Sequence, residues 1–180
     1  MTTATQNLEN DHVYILQLTD IMGRMVSSKS TNTEHFETVV DIIKSFADGL
    51  HHKKEEDLLF PLFEQRTAGG HCAPVGVMLM EHDQGREYVR GIVENITKFK
   101  NGDSTALDSI FNYMLDYSEL LQQHIYKEDN VLFRMADEAF SDNDHELLVT
   151  QFNKVESEAE DGNKKEDYIK LIQNLGEEYK

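Results

Sequence analysis

Apolar residues recur at helical spacing along most of the chain, and the alternation that is typical of β-strands is nearly absent. The pattern predicts a first helix over about residues 10–25 and a second that follows a Thr33 cap and runs toward the stretch LFPLFEQR. Pro61 should kink or end this second helix, because proline has no backbone N–H. A third helix, with Pro74 in its first turn, should continue to about Lys100.

A fourth helix, capped by Asp103 or Ser104, should reach about Ala139, and shorter helices should follow it. The stretches SSKSTNT, TAGGHCAP and NGDS separate the four long helices, and short connections of this kind are typical of antiparallel bundles. We therefore predict an all-α protein, an up-down-up-down four-helix bundle with one or two additional C-terminal helices. Residues 1–180 should form a single domain, with the bundle at about 9–140 and a helical tail at about 141–180. A frayed interaction segment is the alternative for the tail.

Composition and charge narrow the classes of partner. The formal net charge of −17 argues against nucleic acid, whose binding depends on Lys and Arg that neutralise phosphates, and it disfavours anionic membrane surfaces. No apolar run approaches the roughly 20 residues that span a bilayer. The N-terminus lacks the features of a secretory signal, and the lone Cys72 cannot form an internal disulfide. These features predict a cytoplasmic protein.

A short motif occurs twice in the chain. HHKKEEDLLF begins at His51 and HIYKEDNVLF begins at His124, and the two align without a gap. Each contains a His–Glu pair four residues apart, His51 with Glu55 and His124 with Glu128, so both members of a pair lie on one helical face. The repetition favours a shared chemical task over chance.

One histidine on each predicted long helix falls at the same level of the bundle. His12 and His51 lie about 17 and 20 residues from the first turn, and His82 and His124 lie about 20 and 22 residues from the third, at about 1.5 Å per residue. Buried glutamates are costly unless they bind cations. The residues therefore predict two divalent metal ions in the bundle core, and mixed nitrogen and oxygen ligands suit iron or manganese.

Some neighbouring residues are alternatives or additions to these ligands. His52 and Glu56 form a second pair, rotated by about 100° from the first, but alignment with the second motif favours His51 and Glu55. Tyr117 lies on the same face as His124, either as a hydrogen-bond donor to the site or as a buried core tyrosine. Lys54 and Lys127 occupy equivalent places in the repeat, where they either pair with a carboxylate or are solvated. The remaining histidines, His35, His71 and His145, lie away from the predicted level.

The stretches NDHVYI, HHKKEEDLLFP, GVMLMEHDQGR and HIYKEDNVLF together resemble the hemerythrin-like, or HHE cation-binding, domain. The resemblance implies a four-helix bundle with a non-haem di-iron site, bridged by oxo or hydroxo groups and carboxylates, in which Mn or Zn can substitute. The positions that match the family's ligands are His12, His51, Glu55, His82, His124 and Glu128. The oxygen-carrier branch has a histidine at the position of Met78, and its carboxylate ligand in the fourth helix falls at the position of Asp129, whereas the repeat favours Glu128.

The resemblance implies O2, H2O2 or NO as small ligands, and fewer histidines than in the oxygen carriers favour reaction with peroxide over reversible oxygen transport. The alternatives are a non-enzymatic sensor or carrier of oxygen, iron or NO, and an iron storage or donation protein. The repair branch of the family carries an upstream cysteine-bearing segment that is not in this sequence, which disfavours the donation role. No HExxH motif or glycine-rich phosphate loop occurs, and no catalytic side chain is predicted beyond the metal ligands.

Overall fold

The computed structural model describes residues 2–67, 72–158 and 164–180, and within these ranges the chain forms helices and no strands. Three π-helical segments lie inside the longer helices, at Ile43–His52, Glu55–Leu59 and Glu128–Leu132. The α-helices are α1 (Ala4–Ser27), α2 (Thr33–Ile42), α3 (Phe60–Arg66), α4 (Cys72–Lys100), α5 (Ala106–Lys127), α6 (Phe133–Ala139), α7 (Asp142–Ser157) and α8 (Lys165–Glu178).

Helix α1 begins six residues earlier than the apolar pattern indicated, because polar side chains fix its start. The Thr3 hydroxyl accepts a hydrogen bond from the Gln6 backbone, and the Gln6 side chain accepts one from the Thr3 backbone. The second long helix is capped by Asn32, whose side-chain oxygen accepts from two backbone N–H groups, so Thr33 is its first residue and not its cap.

Pro61 does not end the second long helix, which continues through it to Arg66. The proline lies at the start of α3, directly after the π-helical segment Glu55–Leu59. The N–H that proline lacks is therefore missing at the point where π-helical hydrogen bonding changes to α-helical. The regular backbone pairing is already shifted at this point, so the helix continues through the proline. At the end of α4, Gly102 has a φ of 97°, a left-handed conformation that glycine adopts without strain and that closes the predicted NGDS turn.

Two apolar clusters fill the interior, and a layer of polar residues lies between their members along each long helix. One cluster contains Ile15, Phe46, Ile92 and Met114, and the other contains Leu8, Phe60, Met78 and Phe133. In α1, for example, His12 lies between Leu8 of one cluster and Ile15 of the other. The polar layer is thus enclosed by apolar side chains from both ends.

The C-terminal helices pack against the rest of the chain. Helix α7 contacts α1 and the π-helical segment Glu55–Leu59, and α8 contacts α1 and α2. Helix α7 ends at Ser157. Residues 68–71 of the predicted TAGGHCAP break, including His71, lie outside the described residues. Within the described ranges, no helix combines the length and apolar character that crossing a bilayer requires.

Candidate metal centre

The six predicted ligands come from four long helical stretches and meet in the polar layer. Each is buried, with at most 2% of its surface exposed: His12, His51, Glu55, His82, His124 and Glu128. The Nε2 atoms of His12 and His51 lie 3.0 Å apart, and those of His82 and His124 also lie 3.0 Å apart. The level that helix rise predicted for the four histidines is therefore the level at which the structure brings them together.

The side chains form two groups, in each of which the candidate ligand atoms lie within 4.8 Å of one another. The first group consists of His12, His51, Glu55 and Glu128. The second consists of His52, Glu55, His82 and His124. Glu55 belongs to both, so the two groups are adjacent and share a carboxylate.

Each glutamate connects the two groups through its two oxygen atoms. Glu55 Oε1 lies 3.5 Å from His51 Nε2, and its Oε2 lies 3.6 Å from His82 Nε2. Glu128 Oε2 lies 3.3 Å from His12 Nε2, and its Oε1 lies 3.2 Å from His124 Nε2. Every carboxylate oxygen therefore faces an imidazole nitrogen, and each carboxylate spans both groups.

The outward-facing nitrogen of each of these histidines contacts a carboxylate. The Nδ1–H groups donate to Asp129 from His12 (2.7 Å), to Asp11 from His51 (3.3 Å), to Asp48 from His52 (3.2 Å), to Glu56 from His82 (2.6 Å) and to Glu81 from His124 (2.9 Å). A carboxylate can only accept, so it holds the proton on Nδ1 and leaves Nε2 free to face the interior. Histidines that bind metals are oriented by this kind of contact.

Cationic side chains hold most of these outer carboxylates in turn. Arg86 donates from Nη2 to Asp48 at 2.8 Å and to Glu56 at 2.7 Å, so one guanidinium supports the partners of both His52 and His82. Lys54 Nζ donates to Asp11 at 2.6 Å, and Lys127 pairs with Glu81. Part of the large acidic excess of the sequence therefore orients histidines and is not simply a solvated surface.

Burial and mutual proximity separate the pKa values of the two central carboxyl groups. Burial, reinforced by the charge of Glu128, raises the pKa of Glu55 well above its ordinary value. Burial would also raise the pKa of Glu128, but His124 and His12 together hold it well below that value. Burial opposes the charged form of His12 as well, yet Asp129 and Glu128 raise the pKa of His12 to about 9. Without metal, protons therefore take the place of part of the positive charge that this layer requires.

His52 is the ligand candidate that ranked below His51 when the two internal motifs were aligned. The structure places His51 in the first group and His52 in the second, so the two are not alternatives. They end the π-helical segment Ile43–His52, whose wider turns bring adjacent side chains closer in direction than an α-helix does. Gly49 suits this segment, because an added Cβ would lie 3.0 Å from the carbonyl oxygen of Lys44.

A cavity of about 560 Å³ reaches the second group from the surface between α4, α5 and the segment Ile43–His52. His52, His82 and His124 line its inner part, together with Tyr117. Burial, with the charge of Asp48, raises the pKa of Tyr117 far above its ordinary value, so it remains a neutral phenol. Of the two lysines of the repeat, Lys54 is fully buried and Lys127 is 37% exposed, and both pair with carboxylates.

The donor set fits a pair of cations. No residue that the structure describes donates a hydrogen bond to any of the four oxygens of Glu55 and Glu128, although all four are buried. Buried carboxylates in this state are strongly destabilising unless a cation neutralises them. The Nε2 atoms of four histidines face the same oxygens, and imidazole with carboxylate is a ligand combination of divalent transition metals.

The described residues form helices and no strands and bring two adjacent His–Glu groups together in the interior, which are the features of a helical metal-binding protein. The family model for the hemerythrin HHE cation-binding domain matches residues 3–136, and the chain belongs to this family. The resemblance seen in the sequence motifs is therefore confirmed.

Curated relatives include the proteins named iron-sulfur cluster repair protein YtfE from Salmonella schwarzengrund and Salmonella newport. The chain is 33% identical to each over 89 residues, which is 48% of this chain and 40% of the relative. The match thus spans less than half the length of these relatives. No solved structure matches the chain.

Proposed function

We propose that the protein is a non-haem di-iron protein whose centre binds or reacts with O2 or peroxide. His12, His51, Glu55 and Glu128 would hold one iron, and His52, Glu55, His82 and His124 the other. The observation that carries the proposal is the position of the carboxylates, because all four oxygens of Glu55 and Glu128 are buried between imidazole nitrogens of both groups. Manganese or zinc are possible substitutes on the same ligands.

The proposed fold is an up-down-up-down four-helix bundle within a single domain, with α7 and α8 as the C-terminal tail. The two apolar clusters support this order. In α1 and α4 the residues of the Leu8 cluster precede those of the other cluster along the chain, whereas in the stretches α2–α3 and α5–α6 they follow them. The proposed location is the cytoplasm, which fits the lone cysteine.

Iron bound here would supply electrons and Lewis acidity to a small ligand. The chain's own residues control what reaches it: the cavity beside His52, His82 and His124 gives a ligand access to the second group from the surface. Tyr117, neutral at any physiological pH, lines the same cavity as a phenol. Arg86 holds the carboxylate partners of His52 and His82, which keeps both Nε2 atoms directed at the site.

The proposal is tested by loading the full-length protein with Fe(II) without oxygen, counting the iron and then adding H2O2 or O2. We expect two iron ions per chain, and rapid, repeated oxygen evolution from H2O2 would identify a peroxide-consuming enzyme. A visible band that O2 produces and its removal reverses would identify a carrier or sensor. Fewer than two iron ions in the fully loaded protein would refute the dinuclear centre.

Iron donation is a second candidate, and the name of the curated relatives favours it. Those proteins are named for iron-sulfur cluster repair, and they share 33% identity with this chain over 89 residues. The test mixes the iron-loaded protein with a cluster-free iron–sulfur protein, sulfide and a reductant, and follows cluster assembly. Donation requires faster assembly than an equal concentration of free Fe(II) gives in the presence of a chelator.

A further inference from the structure

The internal repeat extends beyond the ligands to a chain of three side chains in each half of the molecule. In the first half, Lys54 Nζ lies 2.6 Å from Asp11 Oδ2, which accepts from His51 Nδ1 at 3.3 Å. In the second half, Lys127 pairs with Glu81, which accepts from His124 Nδ1 at 2.9 Å. The two lysines stand three residues after their histidines.

The acidic members are equivalent as well. Asp11 directly precedes His12, and Glu81 directly precedes His82. In each half, the first long helix therefore supplies a ligand candidate and also the carboxylate that contacts the histidine of the second long helix. A lysine, a carboxylate and a histidine therefore follow one another twice, at matching positions. The repeat thus places a lysine beside the carboxylate partner of a histidine in each half, and the contribution of each lysine depends on how deeply its ion pair is buried.

The C-terminal helices make the two halves unequal. Lys54 also donates to Glu156 of α7 at 2.8 Å, its ammonium lies 5.5 Å from the Phe152 ring centroid, and its side chain is fully buried. Lys165, the first residue of α8, pairs with the other oxygen of Asp11 and lies 3.7 Å from Glu156. Two carboxylates and two ammonium groups thus form a neutral cluster beside His51.

The second half has a more open arrangement. Lys127 is 37% exposed and Glu81 is 19% exposed. Water can replace an exposed lysine as partner of its carboxylate, whereas removal of one member of a buried ionic cluster leaves an unpaired charge. The orientation of His51 therefore depends on the cationic partners of Asp11 more than the orientation of His124 depends on Lys127.

We propose that Lys54 is a positioning residue for the metal centre, acting through Asp11 on His51, and that Glu156 and Lys165 of the C-terminal helices hold it in place. The tail helices then stabilise metal at the His12/His51 group in particular. This inference rests on the proposed function, since it assumes that both groups bind a metal ion.

The test compares full-length variants loaded with Fe(II), by iron content and by the rate at which a colorimetric chelator removes each iron. In Lys54→Met and Lys165→Met, we expect one of the two irons to bind about 10- to 100-fold more weakly, which is the usual effect of removing an outer partner of a ligand. Lys165→Arg keeps the cation and should restore wild-type retention. Lys165, 17% exposed, serves as the second site in case the fully buried Lys54 cannot be replaced without unfolding.

Two matched controls separate positioning from general loosening. Lys127→Met removes the equivalent lysine of the second half, and we expect near wild-type retention of both irons. Arg66→Met breaks the ion pair that Arg66 makes with Asp144 of α7 at 2.5 Å, so it loosens the tail without touching Asp11. In the metal-free protein, nitrogen NMR should report a mixed tautomer for His51 in Lys165→Met and the Nδ1–H form in Arg66→Met.

The outcomes distinguish this inference from the proposed function. Fewer than two irons in the wild-type protein would refute the proposed function itself. Two irons in the wild type, held as tightly in Lys54→Met and Lys165→Met, would refute only the role of Lys54 and the tail. Equal weakening by Arg66→Met or by Lys127→Met would also refute it, because the effect would then not run through Asp11.

Discussion

The Nε2 atom of His12 lies 3.0 Å from the Nε2 atom of His51, although 39 positions separate the two residues in the chain. Both rings have their Nδ1 atom against a carboxylate, so neither Nε2 needs to carry a proton in the neutral ring. Two unprotonated nitrogens at this distance repel each other unless a proton or a cation lies between them. The same relationship holds for His82 and His124.

The division into two groups predicts the effect of removing single histidines. His51 belongs to the first group and His52 to the second, so His51→Ala and His52→Ala should each leave about one metal ion where the wild type retains two. Metal analysis after dialysis measures this. His35→Ala is the control and should have no effect, because His35 contacts Tyr179 and belongs to neither group. Full retention of metal by His52→Ala would remove it from the ligand set.

The shared carboxylate predicts a loss of both metals together with a gain in stability. Glu55→Gln keeps the shape of the side chain but cannot bridge two cations, so we expect both ions to be lost. In the metal-free folded protein, burial and Glu128 raise the pKa of Glu55. Ionisation of this carboxyl group at neutral pH therefore costs more free energy in the folded protein than in the unfolded chain. The metal-free variant should therefore have a higher Tm than the metal-free wild type.

The sign of this second effect gives a pH test. The carboxyl group of Glu55 ionises in the unfolded chain above about pH 4, so the metal-free wild type loses stability as the pH rises from there. Glutamine does not titrate, so the variant does not lose this stability. The difference in Tm should thus grow from acid to neutral pH, as calorimetry of the metal-free proteins can measure. A difference that shrinks over this range would contradict the direction of the pKa shift.

The outer carboxylates predict equal effects in the two halves. Asp129 accepts from His12 Nδ1 at 2.7 Å, and Glu56, its counterpart in the repeat, accepts from His82 Nδ1 at 2.6 Å. Asp129→Asn and Glu56→Gln should each weaken metal binding by about 10- to 100-fold, measured by competition with a chelator. Glu119→Gln removes an exposed acidic group of α5 and should leave affinity unchanged.

Much of the centre could be predicted from the chain, because helix rise and the repeat are regular. Helix rise predicts the common level at which the structure places the four histidines. The repeat favours Glu128 over Asp129 as a ligand, and this choice stays a prediction. In the structure Glu128 lies against His12 and His124, one from each group, whereas Asp129 contacts His12 from outside. His52 could not be predicted in the same way. An α-helix turns adjacent residues about 100° apart, and the π-helical segment that ends at His52 changes this angle.

The outer carboxylate partners of the histidines leave a weak signal in the sequence. An acidic residue directly precedes His12 and His82, and another directly follows Glu55 and Glu128. In a charged sequence these neighbours look like solvated surface, and only packing shows which of them contact a ring nitrogen. The burial of Lys54 likewise depends on Glu156 of α7, which lies 102 positions away and outside the repeat.

The cavity predicts that access to the second group can be blocked without removing metal. Gly85 lines the cavity, and an added Cβ would stand 3.5 Å from the Tyr117 ring, which is an ordinary contact. Gly85→Leu should therefore fold and fill part of the space, slowing the reaction of the loaded protein with azide or H2O2. Gly76→Leu, on an exposed part of the same helix with no atom near the added Cβ, is the control. Unchanged rates in Gly85→Leu, with metal content intact, would place ligand entry elsewhere.

Attachment of α7 should depend on pH through Asp144. Its carboxylate accepts hydrogen bonds from Arg66 and from the backbone and hydroxyl of Ser141, and these hold the pKa of Asp144 below its ordinary value. A lowered folded-state pKa contributes stability above the unfolded pKa and loses it as pH falls. Asp144→Asn should therefore lower the Tm at pH 7, and its difference from the wild type should narrow below about pH 4. Asp142→Asn removes an exposed carboxylate from the same turn and should change the Tm less. A difference in Tm between wild type and Asp144→Asn that stays constant from pH 7 into the acid range would show that the ion pair of Arg66 with Asp144 does not hold α7.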